Sequence, residues 1–254
     1  MYIKAFGKVN LYLDVLNKRS DGYHNILTLF QSIEEYDDIF VEFSEKEFFE
    51  SNIDLQIPWH KNILKKTIDT FKKETGITNF NLNIKLIKRL PIGGGVAGGS
   101  ADAAAVLSFL SKEFNILESD TVKIAENIGS DVPFLLKGGT AIGKGKGEIL
   151  EFLQPLKINI ELFPMGISID TKKAYEKLDK NWENIIHKGD PYVLYKALKE
   201  NNIKVARENA FNVFEQIVFK DYPELKRKKV LTSQKKGTIF SLMTGSGSTI
   251  FRVY

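Results

Sequence analysis

The feature that most constrains this chain is a glycine-rich segment between a strand pattern and a helix pattern. Five of the seven residues Gly93–Gly99 are glycine. The preceding Asn81–Leu90 alternates apolar and polar residues, which predicts a half-buried strand ending before Pro91. The following Ser100–Lys112 is rich in alanine and predicts a helix with Ser100 as its N-cap. A tight turn needs fewer glycines, so the segment predicts a backbone that closely approaches a phosphate group.

Two familiar phosphate-binding motifs match this region only in part. Gly93, Gly95 and Gly98 fit the G-x-G-x-x-G pattern, but Ser119 opens a second helix where a dinucleotide-binding unit needs a strand. Protein kinases share that glycine pattern, but their H-R-D and D-F-G motifs are absent from the sequence. Gly138–Lys144 reads G-x-x-x-x-G-K, but the next residue is glycine instead of the Ser or Thr that would hold Mg²⁺.

Composition narrows the chemistry further. The chain has no Cys, which excludes disulfides, thiol nucleophiles and thiolate metal sites, and its 3 His are not spaced as a helical zinc pair. Ala101–Leu110, the longest apolar-rich stretch, is far shorter than the roughly 20 residues of a membrane span. Without a signal-peptide pattern, the sequence predicts a cytoplasmic protein. The net charge of +4 fits small anionic substrates as well as nucleic acid.

The remaining patterns mix strands and helices without regular alternation, which predicts an α+β protein. Strands are predicted at Ile3–Leu16, Ile26–Ile33, Asp38–Phe43, Phe134–Leu136, Gly139–Ile142 and Lys157–Phe163, with a final strand pair within Gly237–Tyr254. Helices are predicted at Asn62–Thr75, Ser119–Ile128, Thr171–Leu178, Pro191–Glu200 and Asn209–Phe219. The sequence pattern changes near Leu153, so we expect one domain over residues 1–153 and a second over residues 154–254.

Several residues are candidates for chemistry. Asp131 follows a helix and Lys8 lies in a strand pattern, where a cap and a solvated lysine are the ordinary explanations. Together they could supply a base and a cation for phosphoryl transfer. Asp21–His24 places an aromatic ring and an imidazole after a glycine turn. Met243–Ser248 is a second small-residue loop, either a plain hairpin or another anion cradle.

In chain order, these motifs resemble those of the GHMP kinase superfamily. The matching segments are Lys8–Leu11, Pro91–Ala105 and Thr244–Gly247. Arg19–His24 and Gly129–Phe134 are similar to the branch that acts on 4-diphosphocytidyl-2-C-methyl-D-erythritol. The resemblance runs from residue 3 to about 253. It implies an α+β GHMP kinase fold with an N-terminal nucleotide domain like ribosomal protein S5 domain 2. The C-terminal substrate domain would be ferredoxin-like α/β and shorter at its end than is usual in the family.

The resemblance implies ATP-dependent phosphorylation of that substrate's 2-hydroxyl, in the non-mevalonate route to isoprenoids, by a monomer or weak homodimer. Asp131 would be the catalytic base and Lys8 its catalytic partner. Mg²⁺ is expected with ATP, although no protein ligand for it is evident. His24 would read the cytosine edge and Tyr175 would stack on the ring. ATP would contact Asn62, Pro91, Ile92, Gly93, Gly94, Gly95, Val96, Ala97, Gly98, Gly99 and Ser100. The substrate would contact Asn10, Tyr23, His24, Tyr175, Gly245 and Ser246.

Two alternatives remain open. One is another small-molecule GHMP kinase, of the mevalonate or homoserine type. The other is a non-catalytic RNA-binding module, suggested by the pI of about 8.9 and the basic run Lys226–Lys229. A basic run is more often a solvated helix end, and no aromatic residues interleave with it. A relative that has lost catalysis is disfavoured because Lys8 and Asp131 are both present.

Overall fold

Contacts divide the protein into two units, each made of several chain segments. The computed structural model describes residues 1–254. The first unit comprises residues 1–7, 33–90 and 97–138, and the second comprises 8–32, 91–96 and 139–254. These units follow spatial contacts and not chain order, so the predicted division after residue 153 stays a prediction. None of the helices combines the length and apolar character that a transmembrane segment requires.

Ten strands and nine α-helices make up the two units. The strands are β1 (Tyr2–Lys18), β2 (His24–Ser44), β3 (Phe48–Ser51), β4 (Asn81–Ile87), β5 (Thr140–Lys144), β6 (Ile149–Leu153), β7 (Ile160–Phe163), β8 (Phe211–Asn212), β9 (Phe240–Met243) and β10 (Ile250–Val253). The helices are α1 (Ile63–Thr75), α2 (Gly98–Glu113), α3 (Glu118–Ile128), α4 (Val132–Lys137), α5 (Thr171–Lys180), α6 (Pro191–Lys199), α7 (Ile203–Asn209), α8 (Glu215–Asp221) and α9 (Pro223–Ser233).

The first unit packs helices α1 to α4 with a sheet in which β4 lies between β2 and β3. β2 pairs with β4 antiparallel, from Asp38 opposite Ile87 to Ser44 opposite Asn81, and β3 pairs with β4 parallel. The alternation predicted for Asn81–Leu90 places Leu82, Ile84 and Leu86 in the core. Full burial of such a side chain stabilises the fold by about 1.5–3 kcal/mol. This core holds the strand that leads to the glycine-rich segment.

The second unit contains the turn between β1 and β2, a pair of short strands and a separate sheet. β5 pairs antiparallel with β2 at Thr28–Gln31 and with β6, while β8 runs parallel to β1. The separate antiparallel sheet has the order β7-β10-β9. The final strand pair predicted from the sequence is confirmed as β9 and β10, and the loop between them is the small-residue segment around Thr244–Thr249.

The strands predicted at Ile26–Ile33 and Asp38–Phe43 are confirmed but are continuous, whereas two other predicted elements are wrong. Ile26–Ile33 and Asp38–Phe43 belong to the single strand β2, because Glu34 and Glu35 between them face solvent along an unbroken strand. Phe134–Leu136 is helical: Pro133 lies in the first turn of α4, and Gly138 donates its N–H to the Phe134 carbonyl where the helix ends.

The helix predicted over Asn209–Phe219 is instead the end of α7, strand β8 and helix α8. Asn212 interrupts the helical pattern because its side chain is used elsewhere, donating to the backbone carbonyls of Met243 and Gly245 at 2.6 and 2.9 Å. Its own side-chain oxygen accepts from Phe214 N at 2.9 Å. α9 was also missed, because its lysine-rich sequence has almost no apolar face.

Candidate active site

The glycine-rich segment is held in place by two threonines near the end of the chain. Thr244 Oγ1 donates to the Gly95 carbonyl at 3.0 Å, and Thr249 N donates to the Gly94 carbonyl at 3.2 Å. A Cβ added to Gly95 would lie 2.2 Å from the Thr244 carbonyl oxygen, and one added to Gly94 would lie 2.6 Å from Thr249 Oγ1. Gly95 also has a φ of +78°. Glycine is therefore required here by contact as well as by backbone conformation.

Helix α2 begins directly after this segment and offers backbone donors at its N-terminus. It starts at Gly98 and not at Ser100, because Ala97 adopts a left-handed conformation with a φ of 59° and turns the chain into the helix. The predicted N-cap at Ser100 is therefore wrong. First-turn N–H groups have no partner within the helix, and the first turn of α2 has no acidic residue. The partial positive charge of this terminus fits a phosphate group.

A buried ion-pair cluster lies next to the N-terminal turns of α2. Lys88 Nζ donates to Asp102 Oδ2 at 2.9 Å and to Asp37 Oδ2. Asp37 Oδ1 also accepts from the backbone N–H groups of Arg89 and Leu90, at 2.5 and 2.8 Å. Burial raises the pKa of the Asp102 carboxyl to about 7, although the Lys88 ammonium opposes this shift. Sequence reasoning missed the cluster because its members come from separate elements.

We expect Asp102→Asn to change how stability depends on pH. Because the pKa is raised, the folded protein binds more protons than the unfolded chain between about pH 4 and pH 7. The free energy of unfolding of the parent therefore falls as the pH rises through that range. Asparagine stays neutral, so the variant should gain about 2 kcal/mol relative to the parent between pH 5 and pH 8. Urea unfolding at both pH values measures the change. The exposed Asp69→Asn serves as the control, and parallel pH profiles for Asp102→Asn and its parent would contradict the prediction.

Lys8 is buried, so the solvated-strand explanation of this residue is wrong. Its side chain donates from Nζ to Asn10 Oδ1 at 2.9 Å, and Nζ lies 5.0 Å from the centroid of the Phe30 ring. Asn10 Oδ1 also accepts from Gly245 N at 3.1 Å, while Asn10 Nδ2 donates to Thr28 Oγ1 at 2.8 Å. The structure thus brings together Lys8, Asn10 and Gly245, and their roles in the site stay predictions.

Asp131 and Asn62 lie in the first unit, at the starts of helices. Asp131 occupies the N-cap position of α4, but its side chain makes no capping hydrogen bond. Its pairing with Lys8, a residue of the second unit, stays a prediction. Asn62 caps α1 through Oδ1, which accepts from Leu64 N at 2.9 Å. This bond gives Asn62 a structural role, and its contact with ATP stays a prediction.

His24 and Tyr175, predicted to read and stack on a base, lie together in the second unit. Their rings stack with centroids 4.6 Å apart and an interplanar angle of 21°, and Phe214 packs edge-on against Tyr175. His24 Nε2 lies 2.7 Å from Asp179 Oδ1. Tyr23 is 60% exposed. Sequence reasoning missed Asp179, although it follows Tyr175 by four residues and so lies on the same face of α5.

Ser246 and the basic run have partners within the second unit. Ser246 Oγ lies 2.9 Å from Thr171 Oγ1, at the first residue of α5. Within Lys226–Lys229, on α9, Lys229 pairs with Glu215, and Lys228 Nζ lies 4.6 Å from the centroid of the Phe163 ring. Two of the four basic side chains are thus used inside the fold, which weakens the case for an RNA-binding surface.

No group of three or more His, Cys, Asp or Glu side chains is arranged so that it could hold a metal ion.

Comparisons with known proteins identify the N-terminal domain and the fold. Residues 62–139 match the family model described as the GHMP kinases N terminal domain. A solved mevalonate kinase from Methanococcus jannaschii has the same fold, with a TM-score of 0.67 at 12% identity, covering 100% of this chain and 90% of that one. The glycine-rich segment and α2 both lie within the residues that match the N-terminal domain of GHMP kinases.

More similar proteins narrow the class. A 4-diphosphocytidyl-2-C-methyl-D-erythritol kinase from Petrotoga mobilis is 68% identical, covering 100% of this chain and 98% of the relative. The one from Thermotoga maritima is 41% identical, covering 98% of this chain and 90% of the relative. The crystal structure of a 4-(cytidine 5'-diphospho)-2C-methyl-D-erythritol kinase superposes with a TM-score of 0.80 at 29% identity, covering 100% of this chain and 90% of that one. The chain belongs to the 4-diphosphocytidyl-2-C-methyl-D-erythritol kinase family.

Proposed function

We propose that this protein transfers the γ-phosphoryl group of ATP to the 2-hydroxyl of 4-diphosphocytidyl-2-C-methyl-D-erythritol, within the non-mevalonate route to isoprenoids. The observation that carries the proposal is the 68% identity to the Petrotoga mobilis kinase over the whole chain. The mevalonate and homoserine kinases share only the fold, at 12% and 19% identity. They therefore give no support to those substrates.

ATP binds, in this proposal, with its phosphates along Gly93–Ser100 and its adenine near Asn62. The bonds from Thr244 and Thr249 support the phosphate part, because they fix the backbone at Gly94 and Gly95 in one position before ATP binds. The N-terminus of α2 adds donors and partial positive charge without an acidic residue to oppose them.

Asp131 and Lys8 carry the chemistry in this proposal. The Asp131 carboxylate takes the proton from the substrate 2-hydroxyl as the hydroxyl oxygen attacks phosphorus. The Lys8 ammonium stabilises the negative charge that develops on the transferring group. The hydrogen bond from Lys8 to Asn10 supports this role, because it holds the cation in one position before substrate binds. Asn10, Gly245 and Ser246 contact the substrate beside Lys8.

Mg²⁺ accompanies ATP in the proposal and neutralises charge on its phosphates. When bound with ATP, the ion would draw most of its ligands from phosphate oxygens and water, as is common for Mg²⁺. We further propose that the enzyme works in the cytoplasm as a monomer or weak homodimer.

An assay of substrate choice tests the function. Purified protein with ATP, Mg²⁺ and 4-diphosphocytidyl-2-C-methyl-D-erythritol should release ADP, and ³¹P NMR should show a new phosphomonoester on the 2-position. Mevalonate and homoserine serve as competing acceptors under the same conditions. ADP release with either of them, and none with the cytidine substrate, would overturn the substrate assignment.

A further inference from the structure

His24 is fixed on one edge and one face by neighbours from helix α5. The ring is 8% exposed, and Nε2 lies 2.7 Å from Asp179 Oδ1. One face of the imidazole stacks on Tyr175, 4.6 Å away between ring centroids. Nε2 makes the only hydrogen bond of the ring, and Nδ1 is not sealed from solvent. The imidazole is therefore held rigidly, with one nitrogen left for a ligand.

Asp179 is shared between His24 and a lysine. Its second oxygen, Oδ2, accepts from Lys18 Nζ at 2.6 Å. Burial works against its ionisation, but hydrogen bonds from Lys18 and His24 hold the pKa of Asp179 below its usual value. The carboxylate is therefore charged at neutral pH and can only accept hydrogen bonds.

These contacts decide where the imidazole carries its proton. Because the carboxylate only accepts, Nε2 must donate. A neutral imidazole with hydrogen on Nε2 leaves a lone pair on Nδ1, which then acts as an acceptor.

We propose that Asp179 is a positioning residue that holds His24 in the Nε2–H form, so that Nδ1 accepts a hydrogen bond from the amino group of cytosine. The inference rests on the proposed function, in which the substrate carries a cytidine diphosphate. Cytosine presents an N–H donor at position 4, whereas uracil presents a carbonyl oxygen there. The Nδ1 lone pair attracts the first and repels the second. Asp179 therefore sets the choice between cytidine and uridine without touching the base.

Asp179→Asn tests the inference because Lys18 dictates how the new amide lies. Lys18 can only donate, so the amide oxygen faces Lys18 and the amide nitrogen faces His24 Nε2. The imidazole proton then moves to Nδ1, which becomes a donor. We expect kcat/KM for the cytidine substrate to fall by about 10- to 100-fold, chiefly through KM. The uridine analogue should lose nothing or gain, so the preference for cytidine over uridine should largely disappear.

A matched control separates this effect from a general loss of structure. Asp221→Asn removes another carboxylate that pairs with a lysine of α5, Lys177, but it does not contact His24. It should leave both kcat/KM values unchanged. An equal loss on both nucleotides in Asp179→Asn would reduce Asp179 to a structural residue and overturn the proposal. If the unmodified protein releases ADP with neither nucleotide, the proposed function fails instead.

The imidazole itself supplies a readout that needs no turnover. The protein has 3 His, so the His24 ring nitrogens can be assigned in ¹⁵N–¹H spectra by comparison with a His24→Asn variant. At neutral pH, the unmodified protein should show a protonated Nε2 and a bare Nδ1, and Asp179→Asn should reverse them. A proton on Nδ1 in the unmodified protein would overturn the proposal.

Discussion

Asp131→Asn is expected to lower kcat by about 10²- to 10⁴-fold, the usual contribution of a positioned general base. The substitution keeps the shape of the side chain and removes its ability to accept the hydroxyl proton. Asp131 does not cap α4 through its side chain, so the helix should not lose a capping bond. KM for ATP and for the cytidine substrate should therefore change much less than kcat. Steady-state kinetics with each substrate varied in turn measures both.

Asp120→Asn is the matched control for this prediction. Asp120 lies in the first turn of α3 and pairs with Lys123 on the surface. Its loss should leave kcat within about twofold, because exposed ion pairs contribute little. A near-normal kcat for Asp131→Asn would exclude Asp131 as the base and leave the substrate assignment intact.

Gly95→Ala is expected to lower kcat/KM for ATP by about 10²-fold, because its Cβ would lie 2.2 Å from the Thr244 carbonyl oxygen. The carbonyl belongs to backbone that is held by the hydrogen bond from Thr244 N to the Thr249 carbonyl, and the Cβ is fixed to the loop backbone, so the loop must move away from Thr244. This shift misplaces the N–H groups proposed to hold the phosphates. The effect should appear in kcat/KM with ATP varied.

Gly93→Ala provides the comparison for this loop. Gly93 also has positive φ, 65°, but its Cβ would meet only Ser168 Oγ, at 3.5 Å. This change costs backbone strain of about 1–3 kcal/mol without a steric clash. Its effect on ATP should therefore be clearly smaller than that of Gly95→Ala. Circular dichroism verifies that both variants are folded, and equal kinetic losses would contradict a role for the Thr244 contact.

Sequence reasoning was most successful where the signal was local. The strand predicted over Asn81–Leu90 is confirmed as far as Ile87, and so is the helix ending at Gly76, since neighbouring residues alone determine such patterns. The glycine-rich segment could also be recognised from its local composition. The predicted start of α2 was wrong because Ala97 adopts a left-handed backbone conformation. Alanine rarely adopts this conformation, so the sequence does not indicate it.

The site was less predictable where partners come from distant parts of the chain. The burial of Lys8 depends on Phe30 and Asn10 as they lie in the folded sheet, so a strand pattern alone favoured the solvated face. Asp179 lies 155 residues from His24, and nothing local links the two. Such pairs become visible only once the topology is known.

The two threonine bonds that hold the glycine loop bear on how the protein matures during synthesis. The contact from Thr244 to Gly95 spans 149 residues, and that from Thr244 to Asn10 spans 234. Contacts of such high order form late in folding, and nascent chains fold from their N-termini. The loop and α2 leave the ribosome long before Thr244 and Thr249 do. A nascent chain that ends before Thr244 therefore lacks both bonds that fix the backbone of Gly94 and Gly95.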